Sequence, residues 1–115
     1  MTVKGRRYLL GHWVNFDVSG DHAEAVIVGF SPSRSAAFCA WADERRGSRR
    51  LYAALVPGLL LSKSGGRDKR LAAGLHWLWH TYADRALAAL MLGELPSDDR
   101  SLVVYFDVPV LPDAA

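Results

Sequence analysis

The segment Arg67 to Gly93 constrains the fold more than any other part of this chain, because it reads as one long helix with two different faces. At about 100° per residue, Leu71, Leu75, Leu78, Tyr82, Ala86, Ala89 and Gly93 fall on one side, and Trp79 and Leu90 widen that stripe. This is the spacing of a helix packed on a core. Trp77 projects almost opposite the centre of the stripe, and His80, Asp84, Leu87 and Met91 lie close to it. A lone exposed Leu means little, but a Trp, a Leu and a Met grouped on a far face suit a contact surface. Three occupants fit such a face: another element of the same chain, a second copy of the chain, or a foreign partner.

The basic residues are distributed unevenly. Residues 1–70 hold 12 of the 14 Lys and Arg but only 6 of the 12 Asp and Glu, which makes that part +6 and the remainder −4. The basic residues form three clusters: Lys4, Arg6 and Arg7; Arg45, Arg46, Arg49 and Arg50; and Lys63, Arg67, Lys69 and Arg70. Such asymmetry points to an anionic partner or to a solvated rim. With 50% hydrophobic and 23% charged residues, the composition is that of one globular domain over residues 1–115. One cysteine, Cys39, excludes an intramolecular disulfide and reads as a small buried apolar side chain. The first residues carry charge and only a short apolar run, so no secretory leader is expected. No apolar run is long enough to span a membrane, and a cytoplasmic location is the expectation.

Arg7 to Val18 reads as a strand, Ser19-Gly20-Asp21 as a turn, and His22 to Phe30 as the second strand of a hairpin. Ser31-Pro32-Ser33 has the signature of a helix start, which predicts a helix to about Arg46 with Phe38 and Trp41 on its buried edge and Gly47 as terminator. Arg50 to Val56 reads as a strand, and Leu59 to Ser62 as strand or extended loop. Ser101 to Val110 reads as the last strand, ended or held at an edge by Pro109. The order is β-β-α-β-(β)-α-β. It predicts an α+β two-layer domain with a mostly antiparallel sheet of four to five strands and two helices on one face. The tail from Pro112 is expected to fray.

Three groups of residues have the makings of a chemical site. His76, His80 and Asp84 are spaced four apart, so His76 and His80, or His80 and Asp84, are helix neighbours able to share a metal ion. His76 and Asp84 start about 12 Å apart along the axis, too far to share one easily. No Glu follows the first His, so the zinc-protease pattern is absent, and surface histidines are the plainer reading. Lys63-Ser64-Gly65-Gly66-Arg67 places glycines and cations before a helix start, where backbone N–H groups attract anions. It lacks the phosphate-loop spacing. Arg45, Arg46, Arg49 and Arg50 suit phosphate contacts, and Trp13 and Tyr105 suit base stacking if their strand faces are open. Asp17 and Asp107 lie in otherwise apolar strands, where a partly buried carboxylate can have a raised pKa.

No nucleophile turn or cofactor motif is present, so neither catalysis nor a cofactor is expected. The sequence favours a small non-enzymatic protein-binding regulator, adaptor or inhibitor acting through Trp77, with phage or mobile-element origin as a background expectation and a homodimer as one form of partner. Nucleic-acid binding through the Arg45–Arg50 and Lys63–Arg70 clusters is the alternative.

Overall fold

A computed structural model describes residues 1–18, 20–45, 48–91 and 101–108, without the side chains of Glu44, Arg45 and Met91. Among them are a two-stranded ribbon, β1 (Thr2–Val3) and β2 (Arg6–Arg7), then β3 (Trp13–Val18), β4 (Asp21–Phe30), β5 (Ala36–Arg45), β6 (Ser48–Pro57), a 3₁₀ turn at Gly58–Leu60, β7 (Ser62–Lys63), helix α1 (Lys69–Met91) and β8 (Leu102–Val108). The main sheet has six antiparallel strands in the order β7-β3-β4-β5-β6-β8. Among the described residues the fold is α+β, with one helix where the sequence predicts two, and with more strands than the four to five expected.

The correction falls on residues 31–45, the described part of the predicted first helix. Ser31-Pro32-Ser33 opens a turn between β4 and β5, not a helix. The Arg34 N–H donates to the Ser31 carbonyl at 2.8 Å, and Arg34 sits at φ 55°. The Ser31 hydroxyl, buried, accepts the Ala36 N–H at 3.1 Å. The same Ser that can cap a helix therefore closes a β-turn, because a side-chain oxygen serves either motif. β5 then lies in the interior of the sheet, paired with β4 and β6. Phe38 and Trp41, predicted to share a buried helix edge, point to opposite sides of the sheet.

The first predicted strand is also interrupted. The His12 N–H bonds to the Leu9 carbonyl, and Gly11 adopts φ 83°, a conformation glycine tolerates. The chain turns there, so pairing with β4 starts at Trp13. The hairpin turn falls at Gly20, with φ 87°, as the sequence indicates.

Two apolar layers flank the sheet. On one side, Val26, Val28, Phe38, Ala40, Ala53 and Leu55 pack against α1 through Ala72, Leu75, Leu78, Trp79, Ala86 and Leu90. On the other, Val14, Phe16, Ile27, Cys39, Ala54 and Val56 are covered by Tyr8, Leu61 and the β1–β2 ribbon. The Tyr8 hydroxyl donates to the Leu61 carbonyl at 3.2 Å, tying that cover together.

α1 starts two residues later than predicted because Asp68 caps it, its carboxylate accepting the Leu71 N–H at 2.9 Å. Its buried stripe is rotated from the predicted one. Ala72 is buried, whereas Leu71 is 49% exposed and Ala89 is exposed. Trp79 sets that rotation by stacking on Phe38, with ring centroids 5.6 Å apart. No helix among the described residues is long and apolar enough to cross a membrane.

Candidate functional site

A hollow of about 780 Å³ lies between the first turns of α1 and the β3–β7 edge of the sheet. That is within the usual range of ligand-sized clefts. Leu10, Trp13, Ala72 and Ala73 give it apolar walls, and Lys63, Arg67, Lys69, His12 and His76 line it with cationic and imidazole groups. Each wall has a local cause. The turn at Gly11 throws Leu10 outward to 55% exposure. Pairing of β7 with β3 puts Lys63 opposite Val14. The glycine at position 66 lets the loop lie against the Trp13 indole, since a Cβ there would stand 3.0 Å from the ring.

Lys63 is firmly placed. Its ammonium donates to the Arg7 carbonyl, stands 4.5 Å from the Tyr8 ring centroid, and approaches the His12 Nδ1 at 3.4 Å. The His12 Nδ1 also accepts the Leu9 N–H at 3.3 Å. Partial burial, then the Lys63 charge, hold the His12 pKa below the ordinary 6.5, so His12 enters the cleft as a neutral imidazole near neutral pH.

The backbone anion cradle expected at Lys63–Arg67 is partly used up within the protein. The Gly66 N–H donates to the Ser64 hydroxyl at 3.0 Å, and the Ser64 N–H to the Trp13 carbonyl at 3.2 Å. The Ser64 hydroxyl itself donates to the Glu24 carboxylate. With Asp68 capping the helix, attraction for an anion at this end rests on the side chains of Lys63, Arg67 and Lys69.

Beyond the cleft, the same flank of α1 carries the predicted contact residues. Ala73 and His76 line the cleft; one turn further on stand Trp77 and His80. Trp77 is 55% exposed, and His80 and Asp84 are exposed. The cleft and the Trp77 patch therefore adjoin through His76. Leu87 is half-buried against the core and contributes less than its spacing implies. The Met91 side chain lies outside the described residues.

The basic clusters converge only in part. Arg49 and Arg70 line a second hollow of about 420 Å³ on the other flank of α1, together with Asp68 and Leu71. Arg50 projects from the opposite side of the sheet, donating to Asp107 at 3.2 Å and lying 4.3 Å above the Tyr105 ring. Arg46 and the Arg45 side chain lie outside the described residues. Asp17 and Asp107, candidates for perturbed carboxylates, are exposed, with His22 3.5 Å from Asp17.

No protein-family model, curated protein or solved structure matches the chain.

Sequence reasoning missed Leu10, Trp13 and His12 as cleft walls, because the turn that turns them toward α1 depends on one glycine conformation. It also missed an aromatic row across the face opposite the helix. Phe16 meets Trp41 edge-on at 5.6 Å, Trp41 stacks on Tyr52 at 5.1 Å, and Tyr52 lies 6.0 Å from Tyr105, which is 56% exposed. Only the strand register brings those four residues together. Tyr105 is thus open, whereas Trp13, the other proposed stacking residue, is half-buried in the cleft wall.

Proposed function

We propose that this protein is a non-catalytic binding module that holds an acidic, partly apolar segment of a protein partner along the flank of α1. The observation that carries this reading is the continuity of a cationic cleft with an exposed tryptophan: Lys63, Arg67 and Lys69 at one end, Trp77 at the other, with Ala73 and His76 between them. Carboxylates suit the first end by charge complementarity, which steers encounter and fixes register. An apolar side chain suits the second, tryptophan being among the residues that most often dominate binding energy.

Nucleic acid is the second reading. It is favoured by Arg49 and Arg70 lining one hollow on the far flank, so that cations stand on both sides of the helix start. The two readings differ in their demand on Trp77, which a peptide with apolar side chains uses and a phosphate backbone does not.

The test is fluorescence anisotropy with two labelled probes: a peptide alternating Glu with Leu and Phe, and a single-stranded oligonucleotide. The proposal expects saturable peptide binding that weakens at least about tenfold in Trp77→Ala and in Lys69→Glu, about 1.4 kcal/mol or more. Peptide binding unchanged in both variants overturns it. Tighter oligonucleotide binding, steeply salt-dependent and insensitive to Trp77, establishes the second reading instead.

A further inference from the structure

The Nε2 atoms of His76 and His80 face each other 2.9 Å apart, with the two rings inclined at 76°. The pair follows from the sequence, since residues four apart on α1 are neighbours. His76 is half-buried at the cleft wall and His80 is exposed. As a hydrogen bond the contact requires one imidazole to donate and the other to accept. For two groups this open to water, such a bond adds little stability. It also brings the two Nε2 atoms side by side on one flank of α1, within reach of a single ion.

That separation also suits two ligands of one ion. Two nitrogens about 2.0–2.1 Å from one ion and 2.9 Å apart subtend about 90° at it, whereas tetrahedral coordination would hold them about 3.3–3.4 Å apart. A right angle between adjacent ligands occurs in square-planar, tetragonal and octahedral coordination but not in tetrahedral, and among the first-row divalent ions copper(II) binds imidazole most tightly.

We propose that His76 and His80 form a two-imidazole site for a tetragonal divalent metal ion, with copper(II) preferred. Among the described residues no third His, Cys, Asp or Glu completes the set, so water fills the remaining positions. Asp84, one turn beyond His80, adds negative charge on the side away from Lys69. Both imidazoles bind as neutral ligands, and protons compete for the same nitrogens.

The experiment titrates untagged protein at neutral pH with copper(II), nickel(II) and zinc(II) in turn. Calorimetry gives stoichiometry and affinity, and electron paramagnetic resonance reads the copper geometry. The expected result is one copper(II) per chain in an axial site with nitrogen coupling, bound more tightly than zinc(II). His80→Asn should weaken it at least about tenfold. His76→Asn should do the same, and His22→Asn, at the other end of the β3–β4 hairpin, should not. Because His80 is exposed, its variant keeps the fold, and unchanged circular dichroism checks this. Copper binding of unaltered affinity in His80→Asn overturns the site. Zinc(II) bound as tightly as copper(II) overturns the tetragonal assignment. Loss on His22→Asn alone moves the ligand set elsewhere and also overturns it. None of these outcomes depends on whether a peptide or nucleic acid occupies the cleft.

Discussion

Trp77 and Trp79 stand two residues apart on one helix and project about 200° apart around its axis, so that Trp79 is 5% exposed and Trp77 55%. Trp79 lies on Phe38, with planes 28° apart, where the helix meets the middle of the sheet. Trp77 meets solvent beside the cleft.

This contrast separates stability from binding. Trp79→Ala removes the largest side chain joining helix and sheet and should cost about 3–5 kcal/mol, read as a lowered midpoint in urea unfolding. Trp77→Ala should leave the unfolding free energy within about 0.5 kcal/mol of the parent while lowering peptide affinity. A Trp77→Ala protein as unstable as Trp79→Ala would mean that Trp77 is a packing residue.

Gly58 is a second pressure point. A Cβ there would stand 2.7 Å from Val3 Cγ2 and 3.2 Å from the Ser35 carbonyl, which also accepts the Gly58 N–H at 2.8 Å. Gly58→Ala must therefore displace the β1–β2 ribbon or break that hydrogen bond, at about 1–3 kcal/mol. Hydrogen exchange reads which one yields. Faster exchange at the Tyr8 N–H, bonded to the Met1 carbonyl at 2.7 Å, identifies the ribbon. A variant as stable as the parent would mean that the ribbon gives way freely.

How much of this was legible in the sequence follows from where side-chain periodicity is informative. α1 was legible because a long amphipathic segment has a distinct period, and its start lies two residues beyond the periodic run's because Asp68 caps it. The β3–β4 hairpin was legible from its turn. β5 was not, because both its faces are buried: Ala37, Cys39 and Trp41 on one side and Phe38, Ala40 and Ala42 on the other are all apolar. A strand between two layers shows no alternation, and an alanine-rich run after Ser-Pro then imitates a helix. Of the candidate site, the helix-borne part was legible from residue spacing. The cleft and the aromatic row were not, because both depend on strand register and on the turn at Gly11.

The His12–Lys63 pair makes a pH prediction. Burial and the Lys63 charge lower the His12 pKa in the folded protein, so the unfolded chain takes up this proton first as pH falls. Stability that is complete above about pH 6.5 is then lost as pH drops through the lower folded value, in that direction only. Lys63→Met removes the smaller of the two causes, so the His12 pKa should rise part of the way back to its ordinary value. Titration of the His12 ring protons by NMR reads this directly. No change in that titration would leave burial as the whole cause.

Cys39 should be chemically silent until the protein opens. It lies in β5 between β4 and β6, fully buried, and burial raises its thiol pKa far above the ordinary value. The thiolate is the reactive form, so a disulfide reagent meets neither an accessible sulfur nor an ionised one. Because β5 is an inner strand, exposing Cys39 requires separating the sheet or lifting one apolar layer. Its labelling should therefore track the most global opening of the structure. The labelling rate with an aromatic disulfide reagent, measured across sub-denaturing urea, should rise with the slope found for global unfolding. A shallower slope would mean that one layer, the β1–β2 ribbon with Tyr8, lifts on its own and admits the reagent from the face opposite α1.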